Sequence, residues 1–136
     1  MHVVENSLNF FGRLLFVALF LPAGVAKLTG FEGTVGYFSS LGLPLPSVAV
    51  VAAIVIEILG SLALLFGVKV RAVAIVLAIF TLLASFAGHA YWAVPQDQMF
   101  VQQLLFFKNI AIAGGLILLA ITGAGKLSID NRLARA

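Results

Sequence analysis

Four long runs of apolar residues dominate the chain, roughly Leu8–Leu28, Ser47–Gly67, Val70–Trp92 and Phe100–Thr122. A hydrocarbon core of about 30 Å is crossed by about 20 apolar residues in α-helix. Each run is long enough, and in lipid its backbone groups are satisfied only if it is helical or part of a closed barrel. The pattern predicts an all-α fold, an integral membrane bundle of four transmembrane helices in a single domain over 1–136. No Gly/Ser-rich linker or low-complexity tract interrupts it. The first run also fits a secretory signal peptide, with Arg13, an apolar core and small residues at Ala23–Ala26. Signal cores reach only about 7–15 residues, so a retained span is the preferred reading.

The connections differ in character. Phe31, Val35, Phe38 and Leu41 fall at helical spacing between spans one and two. They predict a short interfacial helix with one apolar face. Gly42-Leu43-Pro44-Leu45-Pro46 then ends it and starts span two. Gly67-Val68-Lys69-Val70-Arg71 reads as a tight turn between antiparallel neighbours, and Ala93–Met99, with Pro95 and Asp97, as a loop. Tyr91 and Trp92 sit where an aromatic belt anchors a helix end. Pro22 predicts a kink in span one.

Composition supports lipid as the solvent. Of 136 residues 62% are hydrophobic and 10% charged, against about 25% charged in soluble domains. The net charge of +3 forms no Lys/Arg stripe, so nucleic acid is not an expected partner. The absence of cysteine excludes disulfides, thiolate metal ligands and iron–sulfur ligation by this chain. The two histidines, His2 and His89, are predicted on opposite faces, so no metal site is expected. Arg13, Lys69, Arg71, Lys126, Arg132 and Arg135 belong to the side carrying the termini, Lys27 alone to the other. By the positive-inside bias both termini are expected in the cytoplasm, with a bacterial inner membrane as the location.

Ionisable residues within spans face a bundle interior and mark candidate sites. Glu57 lies ten residues into span two and Lys108 eight into span four, beside Asn109. Both spans enter from the outer face, which places the two charges about 12–15 Å below it. A Glu57–Lys108 ion pair is the simplest way to offset two charges that each cost roughly 2.5–3.5 kcal/mol alone. Lys27 and His89 come near the outer ends of spans one and three. Thr81, Ser85 and His89 are spaced i, i+4, i+8, a polar stripe on one helix face. All four spans thus bring polar groups to the outer half, while the inner half reads as almost purely aliphatic. Gly24, Gly60 with Ser61, and the pair Ala111 and Gly115 suit close helix approach. Each feature also has a plain structural account. The ion pair could merely fix helix register, Lys27 could snorkel, and the aromatic residues could simply meet lipid.

These residues taken together resemble the DoxX family of small four-helix membrane proteins, over nearly the whole chain. The resemblance rests on Arg13, Ala23-Gly24-Val25-Ala26-Lys27, Gly42-Leu43-Pro44, Glu57 with Gly60, and Gly67 followed by Arg71. It continues through Lys108-Asn109, Gly123-Ala124-Gly125 and Ser128-Ile129-Asp130. It implies a four-helix bundle linked to respiratory or redox membrane complexes. Three functions compete. The first is a redox-system subunit that meets quinone, with Glu57 as proton carrier, Lys108 as its charge partner and Lys27, His89, Asn109, Ser85 and Thr81 as ligand-binding groups. The chain carries no evident electron carrier, so other membrane or redox subunits would supply electrons. The second is a non-catalytic accessory subunit that docks on a larger complex or on a second copy of itself. The third, a small transporter or proton path, ranks last because the inner half offers no polar continuation.

Overall fold

The computed structural model describes residues 2–135, apart from the side chain of His2. Its elements are α1 (His2–Thr29), α2 (Phe31–Ser40), α3 (Pro46–Phe66), α4 (Val70–Gly88), a 3-10 turn (Tyr91–Ala93), α5 (Gln96–Thr122) and α6 (Ile129–Leu133). The helices α1, α3, α4 and α5 are long and apolar enough to cross a membrane. The all-α bundle with a short helix after the first span is therefore observed. Three boundaries differ from expectation, the first being α4, which ends at Gly88 rather than running on to Trp92. Helix α1 begins at residue 2, well before the apolar run. The expected loop Ala93–Met99 is mostly the 3-10 turn and the first turn of α5, with Asp97 inside the helix. A carboxylate in that turn complements the positive helix end, so polarity there extends the helix rather than stopping it.

Local chemistry explains the joints. Gly67 ends α3 at φ 71°, and Lys69 takes the left-handed region at φ 46° immediately before α4. The turn is held from outside. Asp130 accepts the backbone N–H groups of Lys69 and Val70 at 2.7 and 2.9 Å, and its own N–H donates to Gly67 O at 2.9 Å. These are the amide donors that the first turn of a helix leaves unpaired. The C-terminal segment thus closes one end of the bundle. On α2, Phe31, Val35 and Phe38 are half-buried, while most of the intervening positions are exposed. Leu41 caps the helix and is also half-buried, as the spacing predicts.

The packed core lies in the middle and toward the end that carries the termini. Val17, Phe20, Leu64, Val70, Ala74, Leu77, Ala113, Leu116 and Leu119 form it. Gly60 lets Leu77 close in, since an added Cβ would meet it at 3.2 Å. Gly115 likewise makes room for the Phe16 ring, whose Cζ an added Cβ would meet at 3.1 Å. Ala111, expected to pair with Gly115 in packing, is exposed.

That end is not aliphatic. Arg13 is wholly buried and donates from Nη1 to Leu64 O at 2.7 Å and from Nη2 to Leu127 O. The Phe10 ring lies 5.3 Å from its guanidinium. Asn9 donates to Gly123 O at 2.9 Å, and Arg71 donates to Ala120 O and Ile121 O at 3.0 and 2.6 Å. Arg13, counted by sequence among the charges of the membrane surface, instead ties α1, α3 and the C-terminal segment together. Its two terminal nitrogens satisfy carbonyls that a helix end and a turn leave open.

Candidate functional site

The opposite end of the bundle is hollow because α1 stops short. A Cβ added to Gly24 would lie 3.0 Å from Glu57 Cβ, so Gly24 and Glu57 are level. From that level α1 continues only to Thr29, whereas α3 extends back to Pro46. At 1.5 Å per residue α3 overtops α1 by about 9 Å. Helix α2 crosses the notch. A cavity of about 500 Å³ remains beneath it.

Small side chains, Ala49, Ala52 and Ala53 of α3 and Ala84, Ala87 and Gly88 of α4, make up part of its wall, with Phe20, Ile56 and Phe80 among the larger ones. Tyr37, Phe38 and Leu41 roof it, and the Tyr37 hydroxyl reaches Gly88 O at 3.4 Å. Ala52 and Leu83, one from each wall, line the cavity and are also exposed on the bundle surface. The hollow therefore opens sideways, where lipid would lie around a membrane bundle.

One ion pair sits inside this apolar space. Lys27 Nζ lies 3.0 Å from Glu57 Oε1 and 2.9 Å from Oε2. Hydrogen-bond alignment favours Oε1; Oε2 is buried and has no hydrogen-bond partner among the described residues. Both carboxylate oxygens thus lie against the one ammonium, with only Oε1 aligned for a hydrogen bond. Glu57 is 4% exposed, while the Lys27 side chain keeps 23% of its surface. Gly24 is the reason the pair forms. An added Cβ would lie 2.7 Å from Ile58 Cγ1 and 3.2 Å from Ile58 N, so only glycine lets α1 and α3 approach this closely. Lys27 lies three residues further on, one turn up the same face.

The expected Glu57–Lys108 pair is therefore not formed. Lys108 is exposed, and its neighbour Asn109 lines the cavity instead. Counting residues fixed the depth of Lys108 but not the rotation of α5, and adjacent helix positions point about 100° apart. Glu57, Lys27, Thr81, His89 and Asn109 do share the cavity wall. Ser85 does not; it is fully buried and donates to Thr81 O at 3.0 Å. Thr81 donates to Leu77 O at 2.7 Å, which leaves its oxygen only as an acceptor toward the cavity. His89 ends α4, with Nδ1 2.9 Å from Gln102 Oε1. Sequence reading named Lys27 but gave it no partner. The available signal was Gly24 on the same face.

Tyr91 and Trp92, expected as anchors, also pack against each other and against Phe106, with ring centroids 5.1–5.6 Å apart. They close the bundle beside His89. No group of three or more His, Cys, Asp and Glu side chains that could hold a metal ion occurs among the described residues.

The DoxX family model matches residues 8–90, which takes in α1 to α4 and so all of the cavity wall except Asn109. The chain is 44% identical to Inner membrane protein YqjF of Escherichia coli, over 89% of this chain and 88% of that protein. It is 38% identical to Inner membrane protein YphA of the same organism, over 88% of this chain and 86% of that one. A third relative, named "Putative oxidoreductase CatD" in Bacillus subtilis, is 30% identical over 87% of this chain and 81% of its own length. No solved structure matches.

Proposed function

Because the chain belongs to the DoxX family, we propose that it is the membrane subunit of a respiratory or redox system, with the cavity beneath α2 as its quinone site. The supporting observation is an apolar hollow, open to the side, with one buried ion pair in its wall. Ligand sites are commonly about 300–1,000 Å³, mostly apolar, with a few convergent polar groups. A quinone ring fits that donor set, and its prenyl tail suits the alanine-lined opening between α3 and α4. The name of CatD and the inner-membrane relatives are consistent with this setting.

Each residue has a chemical part in this reading. The Glu57 carboxylate is the group that takes or returns a proton. Lys27, in place of Lys108, holds the negative charge beside it. Asn109 and His89 orient a carbonyl group by hydrogen bonding, Thr81 offers an acceptor oxygen in the wall, and Ser85 packs behind it. A quinone, when bound, supplies two-electron chemistry; electrons arrive from a partner subunit. The basic side carrying the termini faces the cytoplasm and the cavity faces outward.

A second reading draws on Lys108. An exposed ammonium within a span is costly in lipid and marks a surface of α5 for a partner protein or a second copy. The test of the first reading is titration of the purified protein with a short-chain ubiquinone analogue, read by quenching of Trp92, the only tryptophan, three residues past His89. Glu57→Gln and Asn109→Ala are expected to weaken binding about tenfold each, the scale of one hydrogen bond to a charged or buried group. Unchanged binding in both variants overturns the quinone site.

A further inference from the structure

The end of the bundle that carries the termini holds a second cavity, of about 510 Å³, which the quinone reading does not use. It is bounded by the turn between α3 and α4, the end of α5 and the segment Gly123–Ser128. Three cations line it: Lys69, Arg71 and Lys126. The one carboxylate in the lining is Asp130, and both of its oxygens already accept the amides of Lys69 and Val70. Arg71 spends Nη1 on the last carbonyls of α5. The ammonium groups of Lys69 and Lys126 make no hydrogen bond or ion pair among the described residues. Positive charge therefore exceeds negative in one hollow, with two ammoniums uncommitted.

Lys69 is informative for another reason. It stands at φ 46°, a conformation that glycine takes without strain and that costs most residues about 1–2 kcal/mol. The turn keeps a lysine there, and the Asp130 clasp offsets the strain.

We propose that this cavity binds the phosphate group of an anionic phospholipid. Basic pockets at the ends of transmembrane helices lie at headgroup depth and recognise acidic lipids. The volume exceeds that of a bare phosphate and admits a glycerophosphate headgroup. The neighbouring ends of α3, α4 and α5 place it at the membrane surface rather than within the hydrocarbon. Lys69, Arg71 and Lys126 face the phosphate, and Asn131 lines the same hollow as a further donor.

The experiment titrates purified protein in detergent with short-chain phosphatidylglycerol, short-chain phosphatidylcholine and inorganic phosphate, and follows the unfolding midpoint. Phosphatidylglycerol is expected to raise the midpoint and phosphatidylcholine to leave it unchanged. Lys69→Asn with Lys126→Gln is expected to weaken the phosphatidylglycerol effect about thirtyfold, because each surface lysine contributes about a five- to sixfold factor. Asparagine tolerates the left-handed turn, and Lys126→Gln alone serves if the double variant does not fold. Lys108→Gln should retain the full response. A midpoint shift with inorganic phosphate equal to that with phosphatidylglycerol supports the phosphate site and assigns it a soluble anion. Equal shifts with both lipids, or a full response in the Lys69/Lys126 variants, overturns the proposal.

Discussion

Removing one lysine at a time decides what holds Glu57. The variants are Lys27→Met and Lys108→Met, each made alone and with Glu57→Leu. In the structure Lys27 Nζ is within 3.0 Å of both carboxylate oxygens, and Lys108 is exposed. Breaking a fully buried pair costs about 3–5 kcal/mol, chiefly because one charge is left without compensation. The Lys27 side chain keeps 23% of its surface exposed, so the expected cost of Lys27→Met falls to about 2 kcal/mol. Adding Glu57→Leu should restore most of that loss, since two matched apolar groups carry no orphaned charge. The coupling energy between positions 27 and 57 should therefore be about 2 kcal/mol, and that between 108 and 57 below about 0.5 kcal/mol. Reversible unfolding in mixed micelles, read as a double-mutant cycle, supplies both numbers. A coupling concentrated in the 108–57 cycle would refute the geometry derived from Gly24.

Two further outcomes follow from close contacts. Gly24→Val should push α1 from α3 against Ile58, destabilise the fold by about 1–3 kcal/mol as overpacking does, and weaken the 27–57 coupling in the same cycle. Arg13→Met should leave the carbonyls of Leu64 and Leu127 without their donors. It should cost about 2 kcal/mol or more and expose the C-terminal segment to protease cleavage after residue 122.

The sequence named most of the polar residues that line the candidate cavity but not how they pair. Glu57, Lys27, Thr81, His89 and Asn109 could all be named as candidates because an ionisable or polar residue in an apolar span stands out against its surroundings. The depth of each followed from helical rise. Their partners did not, because a partner depends on helix rotation and on which helices touch. Asn109 and Lys108 are adjacent in sequence yet face the cavity and the surface respectively. Ser85 shares the stripe of Thr81 and His89, yet α4 turns it into the packed interior. Arg13 shows the same limit at the other end. Its charge read as a topology marker, whereas the folded C-terminal segment supplies the carbonyl that buries it.

The sequence by itself determined that four helices cross lipid and that a short amphipathic helix follows the first. It did so because apolar length and period are properties of a segment alone. Only the tertiary structure decided that Glu57 belongs to Lys27. That choice depends on the missing side chain at Gly24, which sets the distance between α1 and α3. The cavity is tertiary for the same reason, since it exists where α1 ends about 9 Å short of α3 and α2 roofs the gap.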